Sequence, residues 1–276
     1  MWTRILRELR ALAIELFRLV LPLTCVGCGA PDHVMCPRCR AAIAPRIFLA
    51  IDDSHLPVWA GAVYLGDIRN VVARWKDHGR ADATAHLEHA AYLGGLQLGH
   101  VLRSSLARQS TSAPARQSIS EPSGTHGVGA GGVSSKIKRI VVVPMPSRAA
   151  TRRERGFVPG HVVAGGIARA LREHTLEVEV ADVLVMARAK RDNVGLGAKA
   201  RRANAVHSLR AHPRLKIRTS HPDLVLLVDD VVTTGATLGQ AKRVLNLKTG
   251  TLAAGYALAA TPGDSSSAKP DDKQPS

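Results

Sequence analysis

Aromatic residues make up only 3% of this 276-residue chain. That scarcity tells against the exposed stacking platforms with which single-strand nucleic-acid binders usually hold bases. Long apolar runs are missing as well. Without any stretch of about 18 uninterrupted apolar residues, no membrane-spanning helix is expected, and the chain reads as a soluble, cytoplasmic protein. Acidic residues are outnumbered, 22 against 38 Lys and Arg, which leaves a formal net charge of +16. Cysteine is confined to four positions, with no secretory signal and no further disulfide density to point to an oxidising compartment. The 45% hydrophobic content is ordinary, and the length suits one large α/β core plus a small module.

The four cysteines stand in two pairs, Cys25-Val-Gly-Cys28 and Cys36-Pro-Arg-Cys39, with seven residues between the pairs. Two such knuckles can close four thiolates tetrahedrally on zinc, and a closed site of this kind is structural because no position is left for water. Gly27, Gly29 and Pro37 supply what tight turns require. Two disulfides are the alternative reading of the same residues.

Ahead of the cysteines, Ile5, Leu9, Leu12, Leu16 and Leu19 fall on one helical face. Glu8, Arg10, Glu15 and Arg18 interrupt any apolar core of a targeting signal. Residues 1–22 therefore read as an amphipathic helix and 23–44 as the zinc module. A large domain spans 45–260, and a disordered tail spans 261–276. Within the domain, residues 103–135 dissolve into Ser, Gly, Ala, Pro and Gln, and Ala-Arg-Gln-Ser occurs twice. That composition has too little apolar surface to offset its ordering entropy and reads as a disordered insertion. Elsewhere, strands expected at 58–65, 140–143, 178–184, 224–228 and 251–259 alternate with helices at about 68–75, up to Leu98, 161–174 and from Leu238. Such alternation implies a parallel sheet covered by helices.

Basic charge is concentrated. Residues 136–160 hold seven Lys/Arg against Glu154 alone, and residues 187–218 hold ten against Asp192 alone, so a polyanionic partner is expected. A solvated basic face or a nucleic-acid surface is the alternative reading of the arginines. His78, His161 and His207 read as structural.

Residues 224–238 carry the chemistry. The run Leu224–Val228 suits a buried central strand. Asp229 and Asp230 then emerge at its carboxyl end, where open α/β sheets bind ligands. Thr233, Thr234, Gly235, Ala236 and Thr237 follow as a turn whose amides and hydroxyls can surround a phosphate at a helix N-terminus. Carboxylates beside an anion site make sense when the ligand also carries ribose hydroxyls in need of acceptors. An ordinary strand-turn-helix with Asx and Thr capping is the plainer alternative. The stretch resembles the 5-phosphoribosyl-1-pyrophosphate motif of type I phosphoribosyltransferases. Carried over, that resemblance sets Asp229 and Asp230 against the ribose hydroxyls and Thr233 to Thr237 around the 5′-phosphate.

The loop Pro144-Met145-Pro146-Ser147-Arg148, followed by Arg152-Arg153-Glu154-Arg155-Gly156-Phe157, resembles the ComF family, which joins a four-cysteine finger to a type I phosphoribosyltransferase domain. Lys76 with Gly79-Arg80 matches that family's Lys-x-x-Gly segment. Leu196, Arg201 and Asn204 match its Leu-x(4)-Arg-x-x-Asn segment. Val158-Pro159, Asn193 and Leu209 depart from the family pattern. The resemblance implies that Ser147, Arg148 and Lys76 join the ligand-binding set, with Arg148, Arg152 and Arg155 acting on pyrophosphate beside Asp229 and Asp230. It also implies structural zinc on Cys25, Cys28, Cys36 and Cys39, and magnesium entering with phosphoribosyl pyrophosphate. The expected partners are that donor and an acceptor, or alternatively single-stranded DNA and the competence or helicase machinery that handles it during uptake or repair.

Overall fold

The structure is a computed structural model that describes residues 23–43, 46–109, 137–147, 156–174, 176–187, 209–247 and 251–262. The expected amphipathic helix 1–22, Arg148, Arg152, Arg153, Arg155, Leu196, Arg201, Asn204, most of the 103–135 segment and most of the tail lie outside the described residues.

Six strands form the main sheet in the order β1-β2-β8-β7-β3-β4. They are β1 (Phe48–Ile51), β2 (Val58–Ala60), β3 (Arg139–Pro144), β4 (Glu177–Val180), β7 (Leu224–Val232) and β8 (Leu252–Ala260). Only the β1–β2 pairing is antiparallel. A short antiparallel pair, β5 (Leu184–Met186) with β6 (Leu209–Ala211), lies apart from it. The helices are α1 (Pro37–Ile43), α2 (Gly66–Asp77), α3 (Thr84–Gln109), α4 (Pro159–Glu173) and α5 (Ala236–Leu245). Among the described residues no helix is long and apolar enough to cross a membrane.

Period-two alternation sorts the buried residues onto two faces. Ile140, Val142, Leu224, Leu226, Val228, Tyr256 and Leu258 share one cluster with Val71, Trp75, Leu87, Leu98, Ile167 and Leu171 of α2, α3 and α4. Val141, Val143, Val225, Leu227 and Ala257 face the other way, onto Leu238 and Ala241 of α5 and onto Leu184 and Leu209. Burial on both faces is why β7 reads as a continuous apolar run. The helix layer on the first face is tight because two glycines let α3 and α4 approach. A Cβ on Gly166 would lie 2.4 Å from the Glu88 carbonyl oxygen, and one on Gly95 would lie 2.8 Å from the Ala170 Cβ.

Chain order decides where a ligand crevice opens. From β3 the chain passes through α4 to β4 on one side, and from β7 it passes through α5 to β8 on the other, with β3 and β7 adjacent. Strand order reverses between β3 and β7, and the crevice of an open parallel sheet lies beyond the carboxyl ends at that reversal. Pro144 is level with Val228, so the loop leading to Ser147 leaves the sheet beside the Asp229-Asp230 stretch of β7, which from there on is paired with β8 alone.

Several expected boundaries move. β7 continues to Val232 because β8 is long enough to pair with it as far as Ala260, which places Asp229 and Asp230 inside the strand's last paired stretch. The helix expected to end near Leu98 runs on to Gln109 and takes up the first residues of the 103–135 segment. The strand expected at 178–184 divides. Its ladder closes where the Ala181 amide donates to the Val142 carbonyl at 2.9 Å, after which the chain turns to lay Leu184 over the second face. β1, α1 and β6 have no counterpart among the expected elements.

Candidate functional site

The first knuckle is a tight turn in which the Gly29 amide donates to the Cys25 carbonyl at 3.0 Å and the Cys25 amide to the Ala30 carbonyl at 2.7 Å. Gly29 takes φ +77°, a left-handed conformation that suits glycine. Cys36 stands just before α1, and Cys39 lies in its first turn. All four Sγ atoms lie within 4.8 Å of one another, and none is in a disulfide. Cys28 and Cys36 approach to 3.6 Å, and the Cys36 amide donates to the Cys25 Sγ at 3.3 Å. Burial disfavours the Cys25 thiolate, yet donation from the Cys36, Cys28 and Gly27 amides outweighs it and brings the thiol down to about 6. Burial pushes the Cys39 thiol up.

This donor set fits a structural metal such as zinc, with four sulfurs and no further ligand position. Space for it depends on Gly27, where a Cβ would come within 2.7 Å of the Cys39 Sγ. Cations surround the module, as a doubly negative metal–tetrathiolate would favour. Arg38 pairs with Asp67, Arg74 donates to the Val26 carbonyl at 3.3 Å, and Arg80 donates to the Thr24 carbonyl at 2.8 Å. The module is packed into the main core, for Cys25, Val26, Cys39 and Ile43 belong to the same cluster as the first sheet face.

Helix α2 links the cysteines to the acidic pair. Its outer flank holds the knuckle through Arg74 and through Asn70, which donates to the Gly27 carbonyl at 3.3 Å. Its buried residues Ile68, Val71, Val72 and Trp75 face the core. The Trp75 indole N–H donates to the Thr84 hydroxyl at 3.0 Å, and its ring stacks on Phe157 with centroids 5.2 Å apart. One residue further on, the Lys76 ammonium reaches Asp230 Oδ2 at 2.6 Å, with side-chain exposures of 36% and 6%.

Asp229 and Asp230 each accept a nearby amide. The Asp230 amide donates to Asp229 Oδ1 and the Val231 amide to Asp230 Oδ1, both at 2.8 Å. Burial first, and then the neighbouring Asp230 carboxylate, push the Asp229 carboxyl well above the usual carboxylate range, against the opposing pull of Lys76. Burial disfavours the charge of Lys76, but the Asp230 carboxylate outweighs it and holds the ammonium above its ordinary value.

The turn that follows is open. Thr233, Thr234, Ala236 and Thr237 are exposed. Gly235 caps α5 at φ 71° and offers it no side-chain capping bond of its own. Thr234 Oγ1 accepts weakly from the Ala236 amide at 3.4 Å. A Cβ on Gly235 would meet Ile51 Cδ1 at 2.5 Å, so β1 closes one flank of the turn.

Of the residues expected at the site, the structure brings Lys76 against Asp230, sets Asp229 beside it, and continues the same strand into Thr233–Thr237. Ser147, half-buried, follows β3 next to this strand end. Arg148, Arg152 and Arg155 lie outside the described residues. Sequence reasoning gave no site role to Trp75, Phe157 or Ile51. Arg-Gly-Phe carried a signal for Phe157, whereas a short strand without alternation carried none for Ile51. His161 ties α4 to the loop after β4 through Asp182 at 2.7 Å, in keeping with a structural role. No protein-family model matches this chain, and a comparison with curated proteins finds no match.

Proposed function

We propose that this protein is a ComF-like phosphoribosyltransferase that binds phosphoribosyl pyrophosphate with magnesium and transfers the phosphoribosyl group to an acceptor. One observation carries the reading. At the strand-order reversal, β7 presents two carboxylates followed by an open hydroxyl-bearing turn at a helix N-terminus, as a ligand combining a sugar diol with a phosphate requires. On this reading Asp229 and Asp230 accept from the ribose hydroxyls, and the amides and hydroxyls of Thr233–Thr237 take the 5′-phosphate. Lys76 and the arginines 148, 152 and 155 neutralise pyrophosphate, and Ser147 hydrogen-bonds to it. Magnesium would enter with the donor beside Asp229 and Asp230 and would supply charge neutralisation for the leaving pyrophosphate. The bond from the anomeric carbon to pyrophosphate breaks with its electron pair leaving on pyrophosphate, and an acceptor lone pair forms the new bond. The protein's part is leaving-group neutralisation and exclusion of water. Zinc on the four cysteines would supply folding energy and no catalytic chemistry.

Calorimetry with phosphoribosyl pyrophosphate and Mg²⁺ tests the reading. One site per chain is expected, abolished by Asp229→Ala with Asp230→Ala while the thermal melt stays cooperative. A flat response at millimolar donor would overturn it.

A second reading, a protein handling single-stranded DNA, draws on a different observation. Arg210, Arg214, Lys216 and Arg218 are all exposed along one segment, in a chain of net charge +16. Oligonucleotide binding that falls steeply with salt and is lost when these four become Glu would favour it.

A further inference from the structure

Residues Thr233–Thr237 include no basic residue, and among the described residues the cation that meets the acidic pair is committed to it. Lys76 lies 2.6 Å from Asp230, on a helix end that cannot drift. Trp75 is fully buried, stacked on Phe157 and bonded to Thr84, while Asn70 and Arg74 hold the preceding turns to the cysteine knuckle. The backbone of α2 is therefore anchored on two sides, and only the four-carbon stem of Lys76 is free to rotate. Two carboxylates this close would, without a counter-ion, take up a proton or a divalent cation. A lysine is suited to prevent that and to leave again, because it is a point charge on a flexible stem with no fixed fork to satisfy.

We propose that Lys76 is an exchangeable counter-ion. In the empty site it pairs with Asp230, draws on Asp229 beside it and keeps free divalent cations out, and on ligand binding its ammonium moves to a phosphate oxygen of the incoming sugar phosphate. Cation and sugar phosphate then enter together, because the carboxylates become available only when a phosphate draws the lysine away. This deepens the phosphoribosyl reading and rests on it for the identity of the phosphate. Lys76 is a positioning residue in the empty protein and a ligand contact in the loaded one.

The test uses the full chain and titrates Mn²⁺ without donor, following the free-ion paramagnetic resonance signal. Wild type is expected to show no Mn²⁺ site that depends on Asp230. Lys76→Met, and Lys76→Gln as a second variant should the first fold poorly, are expected to gain one Mn²⁺ per chain and to lose it again with Asp230→Asn. Lys76→Arg should keep the cation out. In the presence of Mg²⁺, Lys76→Met should bind phosphoribosyl pyrophosphate about 10- to 100-fold more weakly, the scale of one charge-assisted contact. A lysine variant that gains no Mn²⁺ site, or that binds the donor as tightly as a wild type that does bind it, overturns the proposal. Because the Mn²⁺ arm needs no donor, a wild type blind to phosphoribosyl pyrophosphate alongside a Lys76→Met that gains the metal site would sink the phosphoribosyl reading and leave the counter-ion role supported.

Discussion

Two consecutive carboxylates share the end of β7, and Asp230 is the one with the ammonium against it. At Asp229 burial and a like charge outweigh the pull of Lys76 and raise its carboxyl. A carboxyl held higher in the folded than in the unfolded chain contributes its stability fully below the unfolded value, about pH 4, and loses it as pH rises through the folded value. The empty protein should therefore gain from Asp229→Asn at pH 7, read as a raised Tm. Below about pH 4 the two proteins should melt together. Melts across that pH range, with no donor present, check both the sign and the window. Tyr256 presents a parallel case. It is fully buried, and its hydroxyl has no hydrogen-bond partner among the described residues. It is wedged where Cβ atoms on Gly94 and Gly61 would lie 2.1 and 2.9 Å away. Tyr256→Phe removes an unsatisfied buried oxygen and is expected to stabilise by about 1 kcal/mol. A lowered Tm would mean that the hydroxyl is satisfied in solution.

Helices α3 and α4 depend on absent side chains for their approach. Gly166→Val places a branched side chain where the Glu88 carbonyl already sits 2.4 Å from a single Cβ, so the two helices must separate. Loss of about 2–3 kcal/mol is expected, measurable as a shift of the urea midpoint with an unchanged slope. At one flank of the same contact, Tyr92 donates to Glu173 at 2.7 Å and Arg169 lies 4.5 Å over the Tyr92 ring, but these exposed groups cannot offset an opened core. Helix α2 carries a different dependence. The knuckle that holds its flank also sets the position of Lys76, so stripping metal from the cysteines should reach the acidic pair. The purified protein is expected to contain one zinc per chain by elemental analysis. Chelation should melt residues 23–43 first and weaken the proposed donor binding before the main sheet unfolds, with protection of individual amides followed by hydrogen exchange.

Across the whole molecule, the segment from 103 to 135 divides into two parts. Its first residues continue α3 through Gln109, so a deletion made for stability work should begin after that helix. Removing about twenty residues from 112 onward and joining the ends with a short Gly-Ser linker should leave Tm within a few degrees, since closure entropy changes only logarithmically with loop length. A fall of roughly 10 °C or more, several kcal/mol at this size, would show that the removed stretch packs on the domain.

The residues whose chemistry depends on local spacing were legible before any coordinates. Cys25, Cys28, Cys36 and Cys39 announce a four-sulfur cluster able to hold a metal because two knuckles close over a few bonds of chain, and the structure brings their sulfurs within 4.8 Å. Leu224–Val228 announce a buried strand because both faces are apolar, and Thr233–Gly235 announce the turn that ends it. The alternation of strands and helices likewise announced a mostly parallel α/β sheet. What local pattern does not encode is which distant elements meet. Lys76 and Asp230 are joined because α2 packs against the same sheet face that β7 supplies. Trp75 meets Phe157 through that same packing, and Ile51 closes on Gly235 because β1 folds back along β2. Strand order, the reversal between β3 and β7, and the extension of β7 through its acidic pair were decided by partner strands. Their hydrogen bonds follow from tertiary burial, whereas periodicity within one segment reports only which of its own faces is apolar.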